Sequence, residues 1–342
     1  MAMPALNSLA RTYPQARITL LGMPSHAAIL QDRSSCIAEV EVLPLAEGIR
    51  SQTGSSPDAA ELEGFVQRMR IRAFDLAVQL HGGGRFSNPF IRSLQARHTV
   101  GSRAADASAL ERTVPHQYFQ HETMRGFDVV ALAGAGQTTP ELHWQATAAE
   151  LARAAALLPP AGAARPLVLL HPGAQDPRRR WAGDNFAAVA AALVQDGHQV
   201  LVVGDSAEAA LSEQVAGAAR RLLPARIEPK WVRSVAGTLD LGTLCGLLRS
   251  SAALVANDSG PRHLAQALGV ATASVFWAPN MVNAGPLQRV RHRVQIAWDT
   301  RCPQCGAPAA GHVAPACGHD GSFVDEVPVA AVLADVRELL GS

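Results

Sequence analysis

The sequence predicts an α/β fold in which two domains each carry a parallel sheet with crossover helices. The chain has 342 residues, too long for one ordinary core and suited to two domains of roughly 150 residues each. Apolar residues make up 48% of it, enough for a substantial core in both halves. Short apolar runs alternate with helical patterns, as expected where helices join parallel strands.

The first half, residues 1–160, is predicted to form one domain. Strands are expected at the apolar runs 18–21, 40–43, 76–80 and 98–101, and a helix over 62–70. The polar cluster 51–57 indicates a mobile loop. Farther along, Pro159, Pro160 and Gly162 interrupt an Ala-rich helical pattern, so we place the domain boundary there.

The second half, residues 161–342, has a more regular alternation. Strands are predicted at 167–170, 199–203, 253–256 and 272–276, and helices at 185–195, 207–220, 241–249 and 261–268. Gly197 and Gly269 follow two of these helices, where a left-handed stop is expected. The pattern predicts a doubly wound sheet whose ligand loops share the carboxyl edge of the strands.

An anion site is predicted where the strand at 253–256 ends. The chain runs from this strand through Asp258, Ser259 and Gly260 straight into a helix. Free backbone N–H groups and the positive end of the helix dipole then point at one spot, which suits a phosphate or diphosphate. His263 lies in the first helical turn, where its imidazole can face the same anion.

A second loop of this kind lies upstream. The strand at 167–170 leads into His171-Pro172-Gly173, and three arginines precede Trp181. Two anion-binding loops in one half-chain predict a ligand that carries a nucleotide diphosphate.

These two loops, in this order, resemble those of glycosyltransferase family 9, the ADP-heptose:lipopolysaccharide heptosyltransferases and their relatives. The resemblance extends from Pro4 to about Leu287. Its most specific motifs are H-P-G-A followed by R-R-W, G-D-S-A-E at 204–208, and N-D-S-G-P-x-H followed by A-x-A-L-G-V. It implies two Rossmann-like domains facing a cleft, the arrangement called GT-B. It also implies inverting transfer of a sugar, ADP-heptose being the expected donor and a lipopolysaccharide core the expected acceptor, with no cofactor for catalysis.

The resemblance assigns a donor-binding site to the second half. Its residues are His171, Pro172, Gly173, Arg179, Arg180, Gly204, Asp205, Asp258, Ser259, Gly260 and His263. Arg179 stands two positions before Trp181, where the family often carries a Lys or Arg that neutralises the leaving diphosphate. An arginine can do so with a bidentate contact and without a metal ion. Three consecutive arginines are also typical of a solvated run, and we expect Arg178 to face water.

Two further assignments each have an alternative. A diphosphate repels the carboxylate of Asp258, so we expect this side chain to accept hydrogen bonds from backbone N–H groups or a sugar hydroxyl, or else to be only a helix N-cap. In the first half, His81, Gly82 and Gly83 follow a strand and are predicted to bind the acceptor, because the glycines expose backbone N–H groups. A glycine-rich surface turn without a ligand fits the same residues.

Near the C-terminus, Cys302, Cys305, Cys317 and His319 form a C-x2-C-x11-C-x-H pattern. Two close pairs of soft or borderline ligands are enough for a tetrahedral structural zinc. The spacing of the second pair is tight, and His312 could replace His319. Reduced, unconnected thiols are the alternative, because five cysteines in a chain of this length do not indicate a disulfide framework.

The beginning of the chain departs from the family pattern. Members open with a short strand and a Gly-Asp turn whose Asp is the catalytic base that the resemblance implies. This sequence starts within the helix that follows, so the catalytic residue stays unknown. We therefore expect either a glycosyltransferase whose true start lies upstream, or a non-catalytic nucleotide-sugar-binding protein.

Charge and hydropathy limit the partners and the location. With 30 basic and 29 acidic side chains, the chain has no overall field for nucleic acid. No apolar run reaches transmembrane length, and the first residues do not form a secretory signal. The sequence thus predicts a cytoplasmic protein, at most peripheral to the cytoplasmic face of the inner membrane. The alternating basic residues at 289–293 are interpreted as a solvated strand edge, with contact to an acidic lipid acceptor as the alternative.

Overall fold

The computed structural model describes residues 1–31, 33–51, 56–159, 165–310, 317–319 and 321–341. The chain forms two compact units, Met1–Pro140 and Glu141–Ser342. Both are α/β, and the strands of their sheets pair in parallel. The predicted fold class is confirmed, but the division between the units falls before residue 141 rather than after residue 160. Most of the predicted loop 51–57 and of the linker at 160–164 lies outside the described residues.

Helix packing explains the shifted division. The helix Ala148–Ala155 begins with a capping box in which Thr147 Oγ1 accepts a hydrogen bond from Glu150 N–H, and a Glu150 oxygen accepts one from Thr147 N–H. It packs closely on the helix Leu241–Ser250, where a Cβ added at Gly246 would lie 2.1 Å from the Glu150 carbonyl oxygen. The Ala-rich segment therefore belongs to the core of the second unit.

In the first unit, helices and strands alternate as predicted except that β5, which was not predicted, follows β4 directly, and the strands form two parallel sheets, β1-β2 and β3-β4-β5. The elements are α1 (Met3–Thr12), β1 (Ile18–Gly22), α2 (Pro24–Leu30), β2 (Ile37–Val42), α3 (Ala59–Ile71), β3 (Leu76–Gln79), α4 (Ser87–Ser93), β4 (His98–Arg103), β5 (Arg112–Pro115) and α5 (Glu122–Ala131). The predicted strand at 40–43 begins earlier because Glu39 and Glu41 alternate with apolar residues and point toward Arg72. Because these two charged residues interrupt the apolar run, the sequence did not indicate the start of β2.

The second unit is one doubly wound sheet of six parallel strands in the order β11-β10-β9-β6-β7-β8. Its elements are α6 (Ala148–Ala155), β6 (Leu167–His171), α7 (Gly183–Gln195), β7 (Gln199–Val202), α8 (Ala209–Leu222), β8 (Val232–Ser234), α9 (Leu241–Ser250), β9 (Ala253–Asn257), α10 (Gly260–Ala267), β10 (Ala271–Trp277), α11 (Ala278–Ala284), β11 (His292–Ala297) and α12 (Val329–Leu340). The four predicted strands and the four predicted helices of this unit are all confirmed, with bounds that differ by a few residues.

The strand order places a ligand crevice between β6 and β9. From β6 the chain winds outward through β7 and β8, and then returns to the other side of β6 to form β9. In open α/β sheets, ligands bind outside the carboxyl ends of the strands where the order reverses. The two motif loops of the sequence follow β6 and β9, so both lie at this reversal.

Burial on both faces explains why the inner strands were readily predicted. Every residue of β6, β7, β9 and β10 is buried, as expected for parallel strands covered by helices on each side. Gly197 and Gly269 have φ values of +96° and +72°, which confirms the predicted left-handed stops. The edge strand β8 and the helices α11 and α12 were not predicted. The strand edge predicted at 289–293 overlaps only the first residues of β11, and His292 there is buried rather than solvated. None of the described helices has the length and apolar character that crossing a bilayer requires.

Candidate functional site

One buried side chain joins the loops that follow β6 and β9. Asn257, the last residue of β9, is fully buried. Its amide Nδ2 donates hydrogen bonds to the carbonyls of Pro172 at 2.8 Å and Gly173 at 3.3 Å. Its Oδ1 accepts a hydrogen bond from the backbone N–H of Trp181 at 3.1 Å. Asn257 therefore fixes both ends of the arginine-containing loop with all of its strong polar groups satisfied.

The central contact of the crevice is an ion pair between Arg179 and Asp258. Arg179 ends a short 3-10 helix, Pro177–Arg179, whose first N–H groups are capped by Asp176. Its Nη1 donates a hydrogen bond to Asp258 Oδ2 at 2.9 Å, and the carboxylate is only 4% exposed. The Arg179 side chain is 25% exposed, and its buried Nε lies 3.9 Å from Asp176 Oδ2 without forming a hydrogen bond with the described residues. Asp258 thus holds a cation whose remaining donors can meet a ligand.

The same carboxylate lies beside His263. The Asp258 Oδ1 atom is 3.5 Å from His263 Nε2, and Arg262 Nη2 is 2.6 Å from His263 Nδ1. Burial, helped by the charge of Arg262, lowers the pKa of His263 to about 4. Burial alone would raise the pKa of Asp258, but the hydrogen bond with His263 and the nearby guanidinium charges give a net lowering. At neutral pH the crevice therefore contains an ionised carboxylate and a neutral imidazole.

The start of α10 presents unused donors to the crevice. Ser259, rather than Asp258, is the N-cap, so the alternative of Asp258 as an N-cap is wrong. The Ser259 Oγ atom is buried and has no hydrogen-bond partner among the residues described. A Cβ added at the next position, Gly260, would meet no protein atom within 4 Å. The space beside Gly260 is thus open, and the N–H groups of a first helical turn have no partner within the helix.

A third loop, after β7, completes the crevice. Glu208 accepts a hydrogen bond from His171 Nε2 at 3.0 Å and another from the Asp205 backbone N–H at 3.1 Å. A Cβ at Gly173 would lie 1.8 Å from Glu208 Oε1, so this glycine provides the room for the carboxylate. The His171 hydrogen bond is the main cause that lowers the pKa of Glu208. Gly204 and Asp205, both predicted as site residues, therefore lie next to His171 and Gly173.

The neighbouring arginines have different surroundings. Arg178 forms hydrogen bonds with the Asp176 carboxylate, at 3.0 Å from Nε and 2.8 Å from Nη2, and is 35% exposed. Arg178 is therefore partly exposed to water, as expected, and is also ion-paired with Asp176. Arg180 Nε donates to the Ala174 carbonyl at 2.8 Å, which braces the loop from inside. Of the three arginines, Arg179 points at the carboxyl end of β9.

The predicted acceptor residues lie in the first unit, in the loop after β3. The buried side chain of Gln79 donates a hydrogen bond to the Gly82 carbonyl at 3.2 Å, and Ser102 Oγ donates to the same carbonyl at 2.6 Å. The Gly83 carbonyl accepts a hydrogen bond from Ala104 N–H at 2.7 Å. These hydrogen bonds hold the backbone of the loop in place, and the side chain of His81 is exposed.

The cysteine pattern is also brought together. One ligand atom from each of Cys302, Cys305, Cys317 and His319 lies within 4.8 Å of all the others. Cys302 Sγ is 3.6 Å from His319 Nδ1. The described cysteines are all free thiols. The four donors could therefore hold a metal ion, whereas His312, the suggested replacement, lies outside the described residues.

Comparison with known families decides the membership of the chain. The model of glycosyltransferase family 9 (heptosyltransferase) matches residues 63–306, well over half of the sequence. The chain belongs to this family.

Curated relatives match over shorter stretches. Lipooligosaccharide heptosyltransferase 2 of Haemophilus ducreyi is 32% identical over 105 residues, which cover 30% of this chain and 29% of the relative. Lipopolysaccharide heptosyltransferase 2 of Escherichia coli is 31% identical over 149 residues, or 43% of this chain and 41% of the relative. The matched stretches thus span less than half of these relatives.

Solved structures of family members confirm the α/β fold over the whole chain. A family 9 glycosyl transferase from Veillonella parvula superposes with a TM-score of 0.75 at 18% identity, covering 100% of this chain and 93% of that one. The ADP-heptose LPS heptosyltransferase II of Escherichia coli gives a TM-score of 0.68 at 18% identity, covering 99% and 94%.

Sequence reasoning missed three side chains that organise the site. Asn257 and Glu208 stand inside the quoted motifs, so their positions were visible, but their contacts depend on which strands are neighbours. Arg262 is fully buried, with its guanidinium 5.0 Å from the ring centroid of Phe276 and 2.9 Å from the Ala284 carbonyl. It occupies the unassigned x position of the motif N-D-S-G-P-x-H, and only the packing shows that its side chain is internal.

Acid should destabilise the second unit through two histidines whose pKa values are lowered, the partly exposed His263 and the buried His292. His292 resembles His263 in that burial, with nearby arginine charges, lowers its pKa to about 4 from the ordinary 6.5. Between the folded pKa of about 4 and the unfolded pKa of 6.5, the unfolded chain binds more protons than the folded one. The free energy of unfolding therefore falls as the pH drops through this range. We expect a loss of about 2 kcal/mol per histidine between about pH 7 and about pH 5.

Urea unfolding at these two pH values measures this effect. His292→Asn can still hydrogen-bond Thr272, whose Oγ1 lies 3.0 Å from His292 Nδ1 in the native protein, because the Asn amide occupies nearly the position of Nδ1. The variant should lose about half of the pH dependence. An unchanged difference between the two pH values in this variant would show that His292 is not one of the responsible groups.

Proposed function

We propose that the protein is a glycosyltransferase that moves a heptose from a nucleotide-diphospho-sugar, ADP-heptose, to a lipopolysaccharide-core-type acceptor with inversion at the anomeric carbon. The observation that carries this proposal is the arrangement at the strand reversal. Arg179, held by Asp258, shares the carboxyl end of β9 with the first turn of α10 and with the Ser259 hydroxyl, which has no partner in the described part of the chain. The names of the curated heptosyltransferase relatives support the choice of donor and acceptor.

In the proposed reaction, an acceptor hydroxyl oxygen forms a bond to the anomeric carbon while the bond from that carbon to the diphosphate breaks. The electron pair of the broken bond leaves with ADP, and the hydroxyl proton passes to a base. The departing diphosphate gains negative charge, so donors already aimed at it lower the barrier. Arg179, the Ser259 hydroxyl and the N–H groups of Gly260 and its neighbours are suited to this role. We assign no residue as the base.

The carboxylate of Glu208 suits a different part of the donor. A second anion repels a diphosphate, whereas a carboxylate accepts hydrogen bonds from hydroxyl groups well. Because Glu208 is fixed by His171 and by the Asp205 N–H, we propose that it binds donor hydroxyls. The proposed transfer uses no bound cofactor. A zinc ion at the cysteine–histidine cluster would stabilise the fold and take no part in the transfer.

The acceptor side of the proposal lies in the first unit. His81, Gly82 and Gly83 form a braced loop with an exposed imidazole, which supports contact with an anionic acceptor. We propose that the protein works on the cytoplasmic side of the inner membrane, in peripheral contact with it, because its acceptor is a membrane lipid.

Donor turnover tests the proposal directly. The purified chain is mixed with ADP-heptose and a heptose-deficient lipopolysaccharide acceptor, and released ADP and the mass of the product are followed. Calorimetry with ADP-heptose, ADP and UDP-glucose reports binding separately. Binding of the ADP compounds with no release of ADP would support the non-catalytic nucleotide-sugar-binding alternative instead, and absence of binding would contradict both.

Gly260→Ala separates ligand contact from folding. Since a Cβ at this position would meet no protein atom within 4 Å, the variant should fold with nearly native stability. If the diphosphate approaches the backbone here, the added methyl group must push it away, and we expect ADP binding to weaken by about 10- to 100-fold, equivalent to about 1.4–3 kcal/mol. Calorimetry and thermal unfolding of the same sample measure both effects. Native ADP affinity in the variant would place the diphosphate elsewhere.

A further inference from the structure

We infer that Cys302, Cys305, Cys317 and His319 bind one zinc ion in a four-coordinate structural site, and that this site fixes the segment which supports the Arg179 loop. The zinc site does not depend on the proposed function. Only its effect on ADP binding rests on that function.

The geometry of the cluster fits one tetrahedral ion. Zinc lies about 2.3 Å from sulfur and about 2.0–2.1 Å from imidazole nitrogen, so the donors of a tetrahedral site are about 3.6–3.8 Å apart. The Cys302 Sγ to His319 Nδ1 distance of 3.6 Å agrees with this, and all four donors lie within 4.8 Å of one another. Three sulfurs and one imidazole are a closed ligand set typical of structural zinc.

The backbone around the first cysteine pair forms a tight turn that presents both sulfurs on one side. Cys302 N–H donates to the Ala307 carbonyl at 2.8 Å, and Gly306 N–H donates to the Cys302 carbonyl at 2.8 Å. A bridge between Arg301 and Pro308 closes the turn. A disulfide between Cys302 and Cys305 would leave Cys317 and His319 without a role, whereas one metal ion accounts for all four side chains.

The cluster is joined to the core of the second unit. Cys302 is 2% exposed and belongs to the core cluster that also contains Phe323, Val324 and Val327, and Cys317 packs against that cluster. Phe323 follows His319 by four positions in the sequence. A metal ion would therefore tie the turn at 302–307 to the beginning of the segment 323–327.

That segment contacts the arginine loop directly. Phe323 N–H donates to the Arg178 carbonyl at 2.8 Å, and the Val327 carbonyl accepts a hydrogen bond from Trp181 Nε1 at 3.0 Å. The ring of Phe323 also packs edge-on against Trp277, with centroids 4.9 Å apart. The loop that carries Arg179 is thus held by hydrogen bonds to Asn257 and to the segment 323–327. We assign the four ligands a positioning role toward Arg179.

Metal analysis tests the site. The protein is produced without a histidine tag, and its zinc and iron are measured by mass spectrometry. We expect about one zinc per chain, and Co²⁺ exchanged for zinc should give the intense visible absorption of a tetrahedral thiolate site. Cys305→Ser is the main variant because Cys305 is exposed, so the core can form without its sulfur. Cys36→Ser, in the first unit, is the matched control.

The two variants should differ in three measurements. Cys305→Ser should bind zinc at least about 100-fold more weakly, while Cys36→Ser retains it. Its thermal midpoint should fall by about 5–10 °C, because zinc binding that is about 100-fold weaker removes about 2.7 kcal/mol of stability when zinc is in excess. Its ADP affinity should fall several-fold, although Cys305 is not part of the proposed donor site.

Each contrary result overturns a stated part of the inference. A metal-free native protein, bound iron in place of zinc, or equal zinc binding by Cys305→Ser would reject the zinc site. Loss of zinc and stability with unchanged ADP affinity would reject the positioning role. If the native protein binds zinc but no ADP, the proposed function fails and the zinc site stands.

Discussion

Arg179→Ala is expected to lower kcat/KM for the sugar donor by about 10²- to 10³-fold, or about 2.7–4 kcal/mol in the transition state. Arg179 is the partly exposed cation that Asp258 orients at the carboxyl end of β9, beside the first turn of α10. Its charge is most useful when the diphosphate departs, because negative charge then accumulates on the leaving oxygen. The loss should therefore appear in kcat as well as in ADP affinity. Steady-state kinetics together with calorimetry measure both.

Two further variants make this result specific. Arg178→Ala removes an adjacent arginine of the same loop that is paired with Asp176, and it should leave kcat within a few-fold of native. Arg179→Lys retains the charge but loses the guanidinium fork, so its activity should lie between those of the native protein and the Ala variant. Equal losses in Arg178→Ala and Arg179→Ala would show that the loop, rather than the Arg179 side chain, is responsible.

Asn257→Asp is expected to have the largest combined effect on stability and ligand binding. The substitution replaces a buried amide donor with a carboxylate oxygen that faces the carbonyls of Pro172 and Gly173. Two hydrogen bonds are lost and acceptors are forced together without water, which should cost about 3 kcal/mol. Because the same amide fixes both ends of the Arg179 loop, ADP binding should also fall by at least about 10-fold. Denaturant unfolding and calorimetry measure the two losses.

The first unit offers a matched control for this variant. Asn88 is also fully buried, and its Nδ2 donates to the carbonyls of Ser102 at 3.1 Å and Ser108 at 2.8 Å. Asn88→Asp should destabilise the first unit by a similar amount and leave ADP binding by the second unit unchanged. If both variants lose ADP affinity equally, Asn257 has no special part in forming the donor site.

Most strands and helices of the second unit were predictable from the sequence because its inner strands are buried on both faces. A strand such as β6 or β10 is covered by helices on both faces, so its sequence is an uninterrupted apolar run. Helix ends were equally visible where Gly197 and Gly269 adopt left-handed conformations. The edge strands were less visible in the sequence, since β8 spans only Val232–Ser234 and β11, of which only the start was predicted, mixes buried and half-buried residues. An edge strand buries less surface, so its composition carries a weaker signal.

The domain boundary could not be read from composition alone. Pro159 and Pro160 interrupt the helical pattern, which made residue 160 the natural limit of the first domain. The helix before them instead packs on α9 through the close approach of Glu150 to Gly246. Proline marks where a helix stops, but the domain to which that helix belongs depends on the surface it buries.

The sequence by itself determined the family, the α/β class, the two loops after β6 and β9, and the four residues of the cysteine cluster. All of these are local patterns, set by apolar runs, glycine positions and short motifs. Only the tertiary structure decided that Asp258 holds Arg179, that Asn257 ties the loops together, and that the segment after His319 supports the same loop. Residues 79 positions apart, such as Arg179 and Asp258, meet because the chain returns to the other side of β6 when it forms β9, and no local pattern encodes that neighbourhood.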